Sequence, residues 1–262
     1  AYMDSVESTL VYEHGEITLG DGIAVLQVPQ GYKYLGPEGS KTVLTDLWGN
    51  PPSETLGMLF PEDISPVSDD FTYAIEISYT EEGFIDDEDA EDIDYDELLE
   101  SMQEESVEIN QQREAMGYES IEFVGWASAP YYDQENKKLH WAKELRFGDS
   151  EGNTLNYNIR VLGRKGFLTM NAIGDIDVLP QVNQHLNEVL ASVEFTPGNM
   201  YSDFDPDLDE VAAYGIGGLI AGKVLAKAGF FVVLLKFWKI IAVAIAGAFA
   251  VFKKKIFGSK DE

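Results

Sequence analysis

The stretch that most constrains this chain is its C-terminal apolar run, which extends from Gly229 to Phe252. A helix needs about 20 predominantly apolar residues to cross the hydrocarbon core of a bilayer. Three consecutive lysines follow the run, and a basic cluster beside a span favours the cytoplasmic side. The pattern therefore predicts a single transmembrane helix over residues 229–255 and a cytoplasmic tail over residues 256–262. The N-terminal part would then lie outside the cytoplasm.

Two lysines, Lys236 and Lys239, interrupt this apolar run. A charge inside the hydrocarbon is costly, so their placement has to be explained. If the hydrocarbon core begins near Phe237 or Ile240, both side chains can extend to the outer interface. That leaves a core of about 13–16 residues, which local thinning of the bilayer accommodates. The alternative is that the lysines face a polar interior formed by several copies of the helix.

The segment just before the anchor, residues 212–228, is rich in small residues and lysines. Gly218 and Gly222 form a GxxxG pair, a spacing that lets membrane helices approach closely. Lys223 and Lys227 are one helical turn apart. The segment is compatible with a helix on the membrane surface, with the outer half of one long helix, or with one arm of a hairpin. We expect a homo-oligomer whose contacts include these four residues.

The charge of the chain is divided sharply between its two parts. Residues 1–210 carry 10 of the 18 basic and 45 of the 47 acidic residues, a net charge of −35, whereas residues 211–262 carry +6. Such an acidic domain repels nucleic-acid phosphates, which argues against nucleic acid as a partner. We interpret the acidity as a solvated surface that favours solubility.

Two features of composition bear on compartment and chemistry. The chain has no cysteine, which excludes disulfides, thiolate catalysis and zinc–cysteine sites. Its first residue is Ala1, and a small residue is what a signal peptidase leaves behind. We therefore expect a signal peptide to have been removed.

The acidic N-terminal part shows the alternation of an α+β domain with an antiparallel sheet and flanking helices. We assign this domain to residues 1–197 and an acidic linker to residues 198–211. Helices are predicted over 38–48, 94–116 and 177–191. Strands are predicted over 16–19, 23–28, 56–60, 71–79, 119–127, 138–148, 153–163, 166–173 and 193–195.

The densest group of carboxylates falls between residues 86 and 96. Carboxylate oxygens are the hard ligands that calcium prefers, and the candidate metal ligands are Asp86, Asp87, Asp89, Asp92 and Asp94. The spacing is not that of an EF-hand, because Glu91 stands where that loop needs glycine. The alternative is helix capping, since Asp94 or Asp96 precedes a predicted helix and carboxylates are stabilising at a helix N-terminus.

Other candidate sites give weaker signals. The three histidines, His14, His140 and His185, lack the spacing of a zinc site, and no nucleophile-elbow, P-loop or dinucleotide-binding motif occurs. Aromatic residues at 48 and at 130–133 fit either loop anchors or core packing. A basic group at Arg160, Arg164 and Lys165 could bind an anionic ligand or pair with the acidic helix.

Four stretches of the sequence resemble one known family, and together they span nearly the whole chain. The chain resembles the bacterial membrane-anchored proteins of the family DUF2167, a domain of unknown function. The stretches are Trp48–Pro52, Gly83–Ala90, Leu155–Tyr157 with Arg160–Arg164, and Tyr214–Gly222. The resemblance implies a protein of the bacterial inner membrane and no defined activity. The order of elements is also similar to the Mog1/PsbP sandwich fold.

Three functional hypotheses follow from these features. The first is a non-enzymatic envelope protein whose acidic domain binds a partner in the membrane or envelope, or another copy of itself. The second is an oligomeric channel or transport accessory protein, suggested by the lysines beside the small residues. The third is a hydrolase of envelope glycans that uses paired carboxylates. No cofactor is expected unless the acidic stretch binds calcium.

Overall fold

The chain folds around one large antiparallel sheet and one small one. The computed structural model describes residues 6–49, 52–68, 71–115 and 119–222. Eight strands form the large sheet in the order β1-β4-β5-β6-β10-β9-β8-β7, and three form the small sheet in the order β11-β3-β2. The strands are β1 Tyr12–Glu13, β2 Glu16–Leu19, β3 Ala24–Gln27, β4 Tyr32–Leu35, β5 Gly57–Pro61, β6 Tyr73–Thr80, β7 Ile121–Asp133, β8 Lys138–Phe147, β9 Thr154–Leu162, β10 Phe167–Asp175 and β11 Val193–Phe195.

Four α-helices flank the sheets in the described residues: α1 Pro37–Lys41, α2 Tyr95–Ala115, α3 Leu179–Ala191 and α4 Ile216–Ala221. A π-helical turn, Thr42–Leu47, continues α1. Proline is the first residue of α1 and the second of α3, positions in the first turn where its missing N–H costs nothing. Lys138 on β8 donates to the carbonyl oxygens of Leu190 and Val193 at 2.6 and 3.2 Å, which stabilises the C-terminal end of α3.

The main core lies between the first face of the large sheet and a layer formed by the small sheet and α3. Alternate residues of the central strands, such as Ile75, Tyr157 and Met170, point into this core. They pack against Leu26 of the small sheet and Val182 of α3. The contributing side chains are almost fully buried, so this layer supplies most of the hydrophobic stabilisation.

The second face of the large sheet carries three separate apolar clusters. Met102 of α2 packs on β7 and β8, and Ile216 of α4 packs on Trp141 and Leu139. At the other end of the sheet, Val43 packs beside α1. The middle of this face lies between the clusters and is polar.

The predicted fold class is confirmed: an antiparallel sheet with flanking helices. Tyr131 and Tyr132, the aromatic residues of the stretch 130–133, do not lie in a loop, which was one of the two predicted alternatives, but belong to the end of β7. The strand continues through Pro130 because irregularities near Ser128 and Tyr131 interrupt its pairing, and proline is tolerated at such positions. In the described part of the chain, no helix is both long and apolar enough to cross a membrane. The predicted anchor, 229–255, lies outside it.

Candidate functional site

A row of polar side chains crosses the middle of the second face of the sheet. Glu76 on β6, Asn171 on β10 and Asn158 on β9 lie side by side in register, and Trp141 on β8 comes next. We call the following set the polar row: Glu76, Lys143, Asn156, Asn158, Arg160 and Asn171. Side chains alternate between the two faces of a strand, so the neighbours of these residues point into the main core.

The three asparagines of the polar row are joined by their side-chain amides. Asn158 Nδ2 donates to Asn156 Oδ1 at 2.7 Å, and Asn156 Nδ2 donates to Asn171 Oδ1 at 3.4 Å. Asn158 and Asn171 are only 7% and 8% exposed. Buried amides are costly unless they are hydrogen-bonded, so this chain of contacts fixes their orientation.

Arg160 is held in the polar row by its planar guanidinium. The guanidinium carbon lies 5.2 Å from the centre of the Trp141 ring and 5.7 Å from that of Phe167, within the range of cation–π attraction. Its Nη2 donates to Asn158 Oδ1 at 3.4 Å, whereas its buried Nε has no partner among the described residues. Burial lowers the pKa of Arg160, but an arginine keeps its charge at neutral pH.

Lys143 brings a second cation to the same face. Its ammonium lies 5.7 Å from the centre of the Phe123 ring. Burial, and then the charge of Arg160, lower the pKa of Lys143 to about 8. Within the described part of the chain, neither cation forms an ion pair, which requires a carboxylate oxygen within 4.0 Å of its nitrogen. This is unusual in a chain with 47 acidic residues.

Glu76 supplies the carboxyl group of the polar row. Burial raises the pKa of Glu76 to about 7, although hydrogen bonds from Thr55 and Ser78 and the charge of Arg160 act in the opposite direction. Three ionisable side chains with shifted pKa values therefore meet on one face, a feature that functional sites share. At neutral pH their combined charge lies between +1 and +2, so the polar row can attract an anionic group. Of the predicted basic group Arg160, Arg164 and Lys165, only Arg160 belongs to the polar row.

The acidic loop between β6 and α2 has several distinct contacts. Asp94 accepts hydrogen bonds from the backbone N–H groups of Asp96 and Glu97 at 3.0 and 3.1 Å, as expected of a helix cap. Asp86 accepts one from the backbone N–H of Glu88 at 2.8 Å. Asp92 is exposed at the end of a short 3-10 turn. The capping interpretation therefore holds for Asp94.

Asp87 links the acidic loop to the hairpin between β7 and β8 and to the segment after β11. It accepts hydrogen bonds from Lys137 and Tyr132, both at 2.7 Å, and from Tyr201 at 3.0 Å. Burial raises the pKa of Asp87, but these hydrogen bonds outweigh it and hold the pKa below its usual range. The carboxylate is thus charged and fully engaged by protein donors.

Asp89 caps α4, a helix that follows it by more than 120 residues. Its two carboxylate oxygens accept from the backbone N–H groups of Ile216 and Gly217 at 2.8 and 3.0 Å. A Cβ on Gly215 would lie 2.5 Å from Asp89 Oδ1, so glycine is required for this approach. Within the described residues, no group of three or more histidines and carboxylates is arranged to hold a metal ion. Calcium binding at Asp86–Asp94 stays a prediction.

Residues 198–222 are packed on the domain, which differs from the linker expected over 198–211. Arg164 forms an ion pair with the buried Asp209 at 2.6 Å. Phe84 stacks on Phe204 with ring centres 3.9 Å apart, and the backbone of Phe84 pairs with that of Val211. This contact is explained by the aromatic rings of residues 84, 201 and 204. The stabilisation from burying these rings offsets the repulsion between the acidic residues of the segment.

The predicted contact residues Gly218 and Gly222 do not lie on one continuing helix. The helix α4 ends at Gly222, which adopts φ +71° and donates its N–H to the carbonyl of Gly218. Glycine is the residue that best tolerates this left-handed conformation. Ile216, Leu219 and Ile220 of α4 are buried against the sheet. Lys223 and Lys227 lie outside the described residues.

The histidines and the first aromatic group have separate structural roles. His14 contacts Glu62 at 2.9 Å, His140 contacts the Tyr157 hydroxyl at 3.1 Å, and His185 lies 5.7 Å from the Tyr32 ring. Trp48 packs edge-on against Phe71 at 5.2 Å. The three histidines thus contact different partners, and none of these contacts joins two histidines.

The architecture defines the class: an α+β domain whose antiparallel sheet is covered on both faces and carries a charged polar row. A family model described as "Protein of unknown function (DUF2167)" matches residues 11–250, and the chain belongs to this family.

Two solved structures are similar to the chain in fold alone. Cyanobacterial PsbP (CyanoP) from Synechocystis sp. PCC 6803 is 10% identical, with a TM-score of 0.37, over 71% of this chain and 92% of that one. The Ran-binding protein Mog1p of Saccharomyces cerevisiae is 10% identical, with a TM-score of 0.39, over 75% of this chain and 100% of that one. No curated protein matches the chain.

Proposed function

We propose that this chain is a membrane-anchored protein of the bacterial cell envelope whose extracytoplasmic domain binds a partner without catalysing a reaction. The observation that carries the proposal is the pair of cations Lys143 and Arg160, neither of which has an ion-pair partner within 4.0 Å among the described residues of a strongly acidic domain. The charge of Glu76 acts on Arg160 from a longer distance. The anchor predicted at 229–255 would keep the domain at the outer face of the inner membrane.

The chemistry of the polar row indicates an anionic group on the partner. Lys143 has three ammonium donors, and Arg160 has a buried Nε that the described residues leave unbonded. A phosphate or carboxylate would accept hydrogen bonds from these donors, and its negative charge would offset the repulsion between the two cations. Binding should weaken as pH rises through about 8, because Lys143 then loses its proton.

Anion binding is tested first by thermal unfolding with and without inorganic phosphate, at matched ionic strength. A ligand that binds the native state raises the melting temperature. We expect phosphate to stabilise the wild type more than chloride does and to lose this effect in Lys143→Met. The matched control is Lys41→Met, which removes a partly exposed lysine that pairs with Glu38 and Glu54 and is remote in sequence from the polar row. Equal phosphate effects in all three proteins would contradict anion binding at the polar row.

The partner is tested by mild crosslinking in native membranes. We expect a defined set of crosslinked proteins that Lys143→Met loses and Lys41→Met keeps. A protein that stays monomeric and partnerless in membranes would overturn the proposal of a binding domain.

Self-association remains part of this proposal. The copies are predicted to contact each other through Gly218, Gly222, Lys223 and Lys227. The chain is also predicted to contact the bilayer. Replacement of Gly222 would disturb the end of α4 whether or not copies associate, so Gly218→Leu alone is the cleaner variant. We expect it to shift the oligomer distribution in native mass spectrometry. An unchanged distribution would remove this segment from the interface.

Fewer observations support the two alternative functions, a channel or transport accessory protein and a hydrolase. A channel or transport accessory protein would depend on lysines outside the described residues, and bilayer conductance lost on Lys→Ala replacement would support it. For a hydrolase, Glu76 is a candidate general acid because its pKa is about 7. Such an enzyme also needs a second carboxylate about 5–10 Å away. In the described residues, no second carboxylate is hydrogen-bonded into the polar row.

A further inference from the structure

A gap separates two oppositely charged members of the polar row, Glu76 on β6 and Arg160 on β9. The strand β10 lies between β6 and β9. Asn158 is level with Glu76 in the sheet, and Arg160 is two residues further along β9. Neighbouring strands are about 4.8 Å apart and successive residues about 3.3 Å, so the backbones at Glu76 and Arg160 are about 12 Å apart. Among the described residues, neither charged group forms an ion pair.

The floor of this gap is formed by β10, whose side chains there are short. Asn171 is opposite Glu76, and Thr169 is opposite Arg160. Residues two apart on a strand share a face, so Asn171 and Thr169 lie on the same face as the charged pair. Glu76, Arg160 and Thr169 are each partly exposed. The gap is therefore a polar depression with a carboxylate at one end and a guanidinium at the other.

Both charged ends keep capacity for further hydrogen bonds. Arg160 Nε is buried without a partner among the described residues, and Nη2, on the same edge, donates to Asn158 Oδ1 at the long distance of 3.4 Å. A planar carboxylate can accept two parallel hydrogen bonds from such an edge. Glu76 accepts hydrogen bonds from Thr55 and, at 3.4 Å, from Ser78, but a carboxylate has about four acceptor positions. One end can therefore bind a carboxylate, and the other a group that donates N–H bonds.

We propose that this gap binds a zwitterion, an α-amino acid or a short peptide, with its carboxylate on Arg160 and its ammonium on Glu76. The inference rests on the anion binding proposed above and names the ligand that carries the anion. An anion without an ammonium would leave Glu76 unpaired, and a half-buried carboxylate is costly without a partner. Burial raises the pKa of Glu76 to about 7, which is the sign of that cost. Lys143 lies on β8, on the far side of β9 from Glu76, so its charge acts on the carboxylate end.

Calorimetric titration of the full chain in an uncharged detergent tests this proposal. The pH is set between the pKa values of Glu76 and Lys143, about 7 and about 8, so that both groups are mostly charged. Alanine and dialanine distinguish a free amino acid from a short peptide. Each is compared with its N-acetyl form, which lacks the ammonium, and with its amide, which lacks the carboxylate. We expect the tighter of the two zwitterions to bind about tenfold more tightly than either of its blocked forms, because each blocked form loses a charged hydrogen bond.

Two variants test the two ends of the gap. Glu76→Gln keeps the shape of the side chain, and the preference for the zwitterion over its N-acetyl form should fall to about threefold or less. Arg160→Lys keeps the charge but loses the planar edge, and it should weaken binding of the zwitterion about threefold or more. Matched controls are Glu151→Gln, in the turn between β8 and β9, and Arg146→Lys, on β8, whose side chains are exposed. Both should bind the zwitterion as the wild type does.

The failure of this inference can be told apart from the failure of anion binding. Zwitterions that do not bind, or bind no more tightly than their N-acetyl forms, would overturn the inference, while stabilisation by phosphate would leave anion binding in place. An amide that binds as tightly as the zwitterion would also overturn it. Absence of binding by every compound, with no stabilisation by phosphate, would remove both proposals. An unchanged preference in Glu76→Gln would contradict the inference too, and this variant stays informative even where Arg160→Lys folds poorly.

Discussion

Glu76 allows a direct test of how the polar row affects stability. Replacing Glu76 with glutamine keeps the shape of the side chain and removes its titratable proton. The pKa of Glu76 is raised from 4.5 to about 7 in the folded chain, chiefly by burial. Between these values the native state keeps a proton that the unfolded state has lost. Wild-type stability should therefore fall as pH rises across this interval.

The size of this effect follows from the shift in pKa. One pKa unit corresponds to about 1.4 kcal/mol, so the shift corresponds to about 3 kcal/mol when Glu76 is fully ionised. Glu76 is only half-buried, and screening by solvent reduces the expectation to about 2 kcal/mol. The glutamine variant should gain this much stability relative to the wild type between about pH 5 and about pH 8.

Urea denaturation at the two pH values measures the difference. The control is Glu151→Gln, whose side chain is exposed, and its stability should follow that of the wild type at both pH values. If Glu76→Gln also follows the wild type at both pH values, Glu76 does not carry the cost of a buried carboxylate. The assignment of a near-neutral acid to the polar row would then fail.

Three further predictions concern the acidic loop and the anchor. Asp89→Ala removes the cap of α4 and should cost about 1–2 kcal/mol in urea denaturation, whereas Asp92→Ala should cost little because Asp92 is exposed. If the acidic loop binds calcium as predicted, millimolar calcium should raise the melting temperature; an unchanged melting temperature would favour capping, since Asp87, Asp89 and Asp94 already accept hydrogen bonds from the protein. Protease added to spheroplasts should digest the acidic domain, and its full protection would reverse the proposed orientation.

The strands and helices could be predicted because their signals are local. The alternation in β6 and β8 to β10 and the glycine or proline at their ends define each strand to within two or three residues. The end of β7 was missed because Pro130 normally ends a strand, and only its pairing with β8 shows that the strand continues past an irregularity. The short strand β1, Tyr12–Glu13, has too few residues for any alternation to be visible.

The polar row could not be predicted because its members are brought together by strand register. Glu76 and Asn171 are 95 positions apart in the sequence and directly opposite in the sheet. In the sequence, each appears as one polar residue in an alternating strand, which normally indicates a solvent-exposed face. One signal is present in the sequence: the basic group around Arg160 predicts either an anion site or pairing with the acidic helix. Its neighbours Arg164 and Lys165 obscured it, because Arg164 pairs with Asp209 instead.

The acidic loop shows how a cluster of like charges can hold a fold together. Asp87 binds Tyr201 and Lys137, and Asp89 binds the first N–H groups of α4, so each carboxylate contacts a segment distant in sequence. These contacts join two of the stretches that carry the family resemblance, Gly83–Ala90 and Tyr214–Gly222. Asp89 caps α4, and α4 ends at Gly222, one residue before the lysine-rich part of the chain. The loop therefore fixes the start of α4, the last helix in the described part of the chain.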